Sequence, residues 1–122
     1  MIRLTAVVNN LVTVPIGEFD NGKSVILKKN QTLVLSLITN PSTGYTWQYL
    51  QYPSFKVLTE IKHYLVPQGR NPGSPSMEYW LYIPVNIGAT VISLQYSRSW
   101  SKIPPLKIYQ INIMISPQKA RK

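Results

Sequence analysis

The sequence contains no cysteine and only four acidic residues among its 122 positions. Without cysteine the chain can form no disulfide framework, thiol nucleophile or thiolate zinc site. Four carboxylates and a single histidine also offer little material for acid–base catalysis, which needs paired carboxylates or a histidine with an orienting partner. The missing cysteine does not fix the compartment, because many secreted β domains carry no disulfide.

Long apolar runs are absent as well. No segment of the sequence approaches the roughly 20 apolar residues of a membrane helix. The first ten residues lack the apolar core of a signal peptide. We therefore expect no membrane insertion, while the compartment stays open between the cytoplasm and a mature secreted or vesicular form.

Catalytic fingerprints are also missing. The sequence has no G-x-S-x-G elbow, no P-loop and no dinucleotide-binding motif. Glu18 and Asp20 are the only acids close together, and they fall in a predicted turn. His63 stands among apolar neighbours, which is typical of a packed side chain rather than of a base or ligand. We expect a protein that is not an enzyme and that needs neither metal nor cofactor.

What the sequence does contain favours a β protein of one domain. Apolar residues make up 44% of the chain, and ten prolines and eight tyrosines suit strands and turns better than long helices. Alternating apolar and polar residues predict seven or eight strands, and the spacing of the turn signals is typical of an antiparallel, immunoglobulin-like β-sandwich. Asn21-Gly22 predicts a hairpin turn. Residues 56–66 fit either a helical stripe or a strand, and their β-branched and aromatic content favours the strand.

The formal net charge is +9, from 13 basic and four acidic residues. Such an excess allows three interpretations: a solvated surface, an acidic protein partner, or nucleic acid. The basic residues are scattered and no nucleic-acid motif is present, so nucleic acid is the least supported of the three.

Three segments rich in turn formers follow predicted strands and are candidates for a binding surface. The first is Asn40-Pro41-Ser42-Thr43-Gly44-Tyr45-Thr46-Trp47, where the Asn, Pro and Gly favour a short, stiff loop. The second is the Gly/Pro loop of residues 69–76, and the third carries Arg98, Ser99 and Trp100. Trp and Arg on loops often supply interface energy. We expect Trp47 to be a core aromatic behind the first loop and Trp100 to be exposed.

In this order the three segments resemble the loops of the chagasin-type inhibitors of papain-like cysteine proteases. The family patterns are N-P-T-T-G-[YF], G-x-G-G and R-P-[WF], and the resemblance covers roughly residues 24–116. The first segment matches well and the third in part, because Ser99 stands in place of Pro. The second has Gly69 and Gly73 but no adjacent glycine pair, although Pro72 and Pro75 add rigidity.

The resemblance implies an immunoglobulin-like sandwich whose three loops form a wedge in the protease cleft, reversibly and without acylation. Ser42 and Thr43 would then face the catalytic cysteine and histidine, and Arg98 and Trp100 would pack on the primed side. The remaining expected protease-binding residues shape the first loop, cover the opposite flank or lie within the third segment: Asn40, Pro41, Gly44, Tyr45, Gly69, Gly73, Ser74 and Ser99.

Two questions remain at this level. The same loops would also serve an immunoglobulin-like adhesion module that binds a partner other than a protease. Residues 1–23 lie outside the resemblance and are either a flexible extension or an extra edge strand, before a domain at 24–116 and a basic tail at 117–122. The inhibitor hypothesis requires that the three loops meet at one end of the sandwich.

Overall fold

The computed structural model describes residues 7–8, 11–98, 100 and 102–117, so Ser99 and the predicted tail beyond Pro117 lie outside the described residues. The described residues form nine strands and two single 3₁₀ turns. The strands are β1 Val7–Val8, β2 Leu11–Ile16, β3 Ser24–Lys28, β4 Gln31–Thr39, β5 Thr46–Gln51, β6 Leu58–Pro67, β7 Ser76–Pro84, β8 Gly88–Ser97 and β9 Lys107–Ser116. The 3₁₀ turns are Glu18–Asp20 and Pro41–Thr43.

Two sheets pack face to face around one core. The first has the strand order β1-β2-β4-β7-β6, and the second β3-β9-β8-β5. Alternate residues of the central strands point inward, which produces the buried run Tyr109, Ile111, Ile113 and Ile115 on β9. The predicted all-β sandwich is confirmed.

The prediction of purely antiparallel pairing is wrong at two places. β2 runs parallel to β4 over five residue pairs, and β3 runs parallel to β9 over five. Both arise because the chain leaves the first sheet after β2 and crosses to the second at β3. Each of these strands therefore joins a partner that is distant in sequence.

The hairpin predicted at Asn21-Gly22 is also wrong, although the chain does turn there with Gly22 at φ 83°. Asn21 pairs with β9: its side-chain Nδ2 donates to the Ile108 carbonyl at 3.0 Å, and its Oδ1 accepts from the Gln110 amide at 2.8 Å. The Gly22 amide donates to the Gln110 carbonyl at 2.7 Å. The Asn-Gly pair therefore fixes the path of the chain where it crosses from the first sheet to the second.

Residues 56–66 form a strand as predicted, since β6 covers Leu58–Pro67. Among the described residues it is an edge strand that pairs with β7, with an irregularity between Glu60 and Lys62. Leu58 is its one buried side chain. Among the described residues, no helix is long and apolar enough to cross a membrane.

Strand register places three connections at the same end of the sandwich. Thr39, at the end of β4, pairs with Ser76 at the start of β7, and Ser76 also pairs with Pro67 at the end of β6. In the second sheet Thr46, which opens β5, pairs with Ser97, which closes β8. Residues 40–45, 68–75 and 98–106 therefore emerge together, and we call their described residues the tip.

Candidate functional site

The first loop of the tip is a single 3₁₀ turn closed by a left-handed glycine. Gly44 has φ 84°, and its amide donates to the Pro41 carbonyl at 3.1 Å. The hydroxyl of Ser42 donates to Asn40 Oδ1, and that of Thr43 donates to the Asn40 carbonyl, each at 2.7 Å. These local bonds hold the loop in one shape while the side chains of Ser42 and Thr43 stay exposed.

Arg98 connects the third loop to the first. Its Nε donates to the Thr43 carbonyl at 3.1 Å, and its guanidinium carbon lies 4.5 Å from the centroid of the Tyr45 ring. Tyr45 in turn stacks on Tyr96, with ring centroids 5.4 Å apart. A guanidinium over an aromatic face is a favourable contact, so the end of β8 supports the loop that follows β4.

Asn40 connects the first loop to the second loop and to the end of β8. Its amide donates to the Tyr96 hydroxyl at 2.8 Å, and its side-chain Nδ2 donates to the Gly73 carbonyl at 3.3 Å. Gly73 has φ 83° in a turn that the Ser74 amide closes on the Asn71 carbonyl at 3.1 Å. Pro72 followed by a left-handed glycine is the signature of a type II turn.

Trp100 lies against Gly44. The indole is 71% exposed, as expected. A Cβ on Gly44 would come within 2.5 Å of Cη2 of the Trp100 ring, so both the backbone conformation and the neighbouring indole favour glycine here. Trp47 is buried, also as expected, and its Nε1 donates to the Ile38 carbonyl at 3.0 Å.

Tyr96 is the residue that the sequence did not single out. It contacts Tyr45, Trp47 and the Asn40 amide, and Lys107 Nζ lies 5.9 Å from its ring centroid. The available signal was its place on the inward face of β8, two residues before Arg98. Nothing in the pattern distinguishes an inward tyrosine of the core from one that supports a loop.

The tip is basic. Its sequence segments contain Arg70, Arg98 and Lys102 and no carboxylate. Arg70 and Lys102 are exposed. Charge of one sign on an exposed surface attracts partners of the opposite sign.

Glu78 and His63 lie away from the tip. Glu78 is 5% exposed on the inward face of β7, and its Oε2 contacts His63 Nε2. Burial raises the pKa of Glu78, and the contact with His63 partly offsets that rise. The imidazole also stacks on Trp80, with ring centroids 5.0 Å apart. His63 is therefore a partnered side chain of the edge strand, with 40% of its side chain exposed.

The described residues contain no group of three or more His, Asp or Glu side chains that could hold a metal ion. Beyond the loop contacts, the tip offers small polar groups, three glycines and one exposed indole. Such a surface is suited to filling a groove in another protein, because stiff loops lose little entropy on binding.

Comparison with known proteins identifies the family. The model of the chagasin family peptidase inhibitor I42 matches residues 26–113. Amoebiasin-2 from Entamoeba histolytica is 37% identical over 90 residues, which cover 70% of this chain and 72% of that protein. The chain belongs to the chagasin family of peptidase inhibitors. The family consists of inhibitors, so the expectation that this chain is not an enzyme is confirmed.

Solved structures similar to this chagasin-family chain show the same fold. The crystal structure of the cysteine protease inhibitor EhICP2 from Entamoeba histolytica has a TM-score of 0.78 at 24% identity, over 87% of this chain and 97% of that one. The solution structure of Amebosin gives 0.66 at 20% identity, over 84% and 96%. PbICP-C, solved in complex with falcipain-2, gives 0.54 at 17% identity, over 94% and 96%.

Proposed function

We propose that this chagasin-family chain is a reversible inhibitor of papain-like cysteine proteases and that it occludes the active-site cleft with the three loops of the tip. The observation that carries the proposal is the convergence of those loops. Asn40 contacts the second loop and Arg98 connects the third to the first. A relative of the same fold, PbICP-C, was solved in complex with falcipain-2.

Within this proposal the first loop enters the cleft most deeply. Ser42 and Thr43, exposed on the 3₁₀ turn, face the catalytic cysteine and histidine, while Asn40, Pro41 and Gly44 maintain the loop shape. The family resemblance implies that binding is reversible and proceeds without acylation of the catalytic cysteine. The alternative of an adhesion module has less support, because the family that matches the chain consists of peptidase inhibitors.

The other two loops flank the first. Trp100 supplies an exposed indole for the primed side, and Gly69, Gly73 and Ser74 approach the opposite flank. A Cβ on Gly69 would lie 2.7 Å from Ser74 Oγ, so a larger side chain there would require Ser74 to shift. This loop lacks the glycine pair of the family pattern, so we expect it to contribute less than the first.

For the domain boundaries, we propose that residues 24–116 form the inhibitory domain. Of the N-terminal segment 1–23, we propose that the described strand β2 serves as an edge element of the first sheet, which its pairing with β4 from Val12 to Ile16 supports. That strand is far from the tip at its first residues, and we expect it to support the sandwich without touching a protease.

The test is inhibition of papain or a cathepsin L-like protease by the folded chain. We expect inhibition at micromolar protein or below, with activity recovered on dilution. Thr43→Asp should weaken binding sharply, because it desolvates a charge against the catalytic centre. Thr13→Asp, at an exposed position on β2, is the matched control and should leave inhibition unchanged. A folded chain that does not inhibit at micromolar concentration would reject the proposal.

A further inference from the structure

We propose that Arg98 is a positioning residue: it holds the first loop in its binding shape from within the inhibitor and does not itself bind the protease. The inference rests on the proposed function of the tip. It departs from the role that the family resemblance gives to this arginine, which is packing on the primed side of the cleft beside Trp100.

The contacts of Arg98 are directed inward. Its guanidinium lies over the Tyr45 ring at 4.5 Å, and its Nε is engaged by the Thr43 carbonyl at 3.1 Å. The side chain is half-buried, in contrast to the exposed Arg70 and Lys102. The face of the guanidinium that covers Tyr45 is therefore not available to a protease surface.

The position of these contacts matters for the shape of the first loop. Thr43 is the last residue of the 3₁₀ turn, and Tyr45 follows the left-handed Gly44. Arg98 therefore contacts the chain on both sides of Gly44, the residue at which the chain changes direction. Because Tyr45 also stacks on Tyr96, these contacts connect the first loop to the end of β8.

The third segment lacks a backbone restraint that the family pattern contains, and the Arg98 contact compensates for it. Ser99 stands where the family pattern has proline, and proline restricts the backbone before binding. A loop without it has more conformations to lose when it binds. The guanidinium contact supplies restraint by side-chain packing and a hydrogen bond instead.

The first test separates positioning from direct contact by its effect on rates. Arg98→Lys keeps the charge but loses the planar group that stacks on Tyr45. If the binding shape is then populated about one time in ten, the association rate falls roughly tenfold and the dissociation rate changes little. We expect Arg98→Lys and Arg98→Ala to behave alike. Full rescue by lysine, or a loss confined to the dissociation rate, would show direct contact and overturn the inference.

A double-substitution cycle with Tyr45→Leu sharpens this test. If Arg98 works through Tyr45, the double variant should associate only slightly more slowly than either single variant, so the effects are not additive. If the decrease in association rate of the double variant equalled the product of the two single decreases, the two side chains would act independently and the inference would fail. Melting temperature and circular dichroism verify that each variant is folded.

The second test uses the free inhibitor. The Gly44 amide is bonded to the Pro41 carbonyl inside the turn, so its hydrogen exchange reports how often the turn opens. We expect Arg98→Lys to raise the exchange rate of Gly44 severalfold and to leave amides of β9 unchanged. Unchanged exchange at Gly44 would overturn the inference. This readout needs no protease, so it distinguishes failure of the inference from failure of the proposed inhibition.

Discussion

The two ends of the sandwich hold their loops by different means. At the end opposite the tip, the Val85 amide donates to the Val57 carbonyl at 2.7 Å, so backbone pairing continues beyond the first residue of β6 and the last residue of β7. Side chains add to it, for example Asn86 Nδ2 on the Lys56 carbonyl at 2.8 Å. At the tip, the contacts that link one loop to another among the described residues all involve a side chain.

This difference means that the placement of the tip loops relative to one another depends on a few side chains, while backbone bonds such as that from the Gln68 amide to the Pro75 carbonyl at 2.9 Å act within one loop. Asn40 and Arg98 make the hydrogen bonds that cross between loops, and Tyr96 on β8 accepts a further one from the Asn40 amide. Single substitutions there should change binding while the sandwich stays folded. Equivalent substitutions at the opposite end should change stability and leave binding intact.

The largest effect is expected at Gly44. Gly44→Ala forces a left-handed backbone on alanine, at a cost of about 1 kcal/mol or more, and pushes the Trp100 ring away. Because it disturbs both the loop and its exposed anchor, we expect the inhibition constant for a papain-like protease to rise on the order of a hundredfold.

Gly22→Ala is the matched control for that substitution. Gly22 has nearly the same φ, 83°, but no atom lies within 4 Å of the position that its Cβ would occupy. It should show the backbone strain as a lower melting temperature without a change in inhibition. Equal losses of inhibition in both variants would show that binding does not depend on the contact between Gly44 and Trp100.

Removal of the exposed indole is the next largest change. Trp100→Ala should weaken inhibition by roughly thirtyfold, which corresponds to about 2 kcal/mol. Stability should move by less than about 0.5 kcal/mol, because most of the side chain is already in solvent. The control is Phe55→Ala at the opposite end, where the ring is 75% exposed. If both substitutions gave the same inhibition constant, the tip would have no special role.

The closest comparison of the two ends is between Asn40 at the tip and Asn86 at the opposite end. Asn40→Ala and Asn86→Ala each remove a side-chain hydrogen bond to a backbone carbonyl on another loop, and each should cost about 1 kcal/mol of stability. Only Asn40→Ala should also weaken inhibition, by about tenfold. Thermal unfolding and inhibition assays on the same preparations measure both quantities. The comparison fails if Asn86→Ala weakens inhibition equally.

The smallest effect on inhibition is expected at Glu78, inside the sandwich. Its pKa is raised above the ordinary carboxyl value of 4.5 because it is buried, so the folded chain holds this proton more tightly than the unfolded chain. Stability therefore falls as pH rises from that value through the raised pKa. Glu78→Gln should flatten this part of the pH profile of the free energy of unfolding, with the inhibition constant unchanged.

Glu18→Gln removes an exposed carboxylate on the first 3₁₀ turn and serves as the control. Its stability over the same pH window gives the profile of a variant that keeps the buried Glu78. A Glu78→Gln variant whose stability still fell with pH over the same window would assign the slope to another group.

Local patterns predicted much of this molecule. Alternation revealed the strands, including β6, and the turn formers located the loops of the tip and the exposure of Trp100. The parallel pairing of β2 with β4 and of β3 with β9 was missed because a strand's pattern specifies its buried face and not its neighbour.

The site was predicted less completely than the fold. The residues of the first loop were evident, because Asn, Pro and Gly carry backbone preferences that can be read locally. The partners of Arg98 were not, since its contacts with Thr43 and Tyr45 join positions more than 50 apart in the chain. Tyr96 was missed for the same reason: its role depends on which loop lies above it.

The central claim is that the tip occupies the active-site cleft of a papain-like protease. The most direct measurement is the affinity of the chain for one such protease in two forms, free and with its cleft filled by a covalently bound peptidyl inhibitor. We expect tight binding to the free enzyme and none to the filled one. Equal affinity for both forms would place the contact outside the cleft and contradict the account.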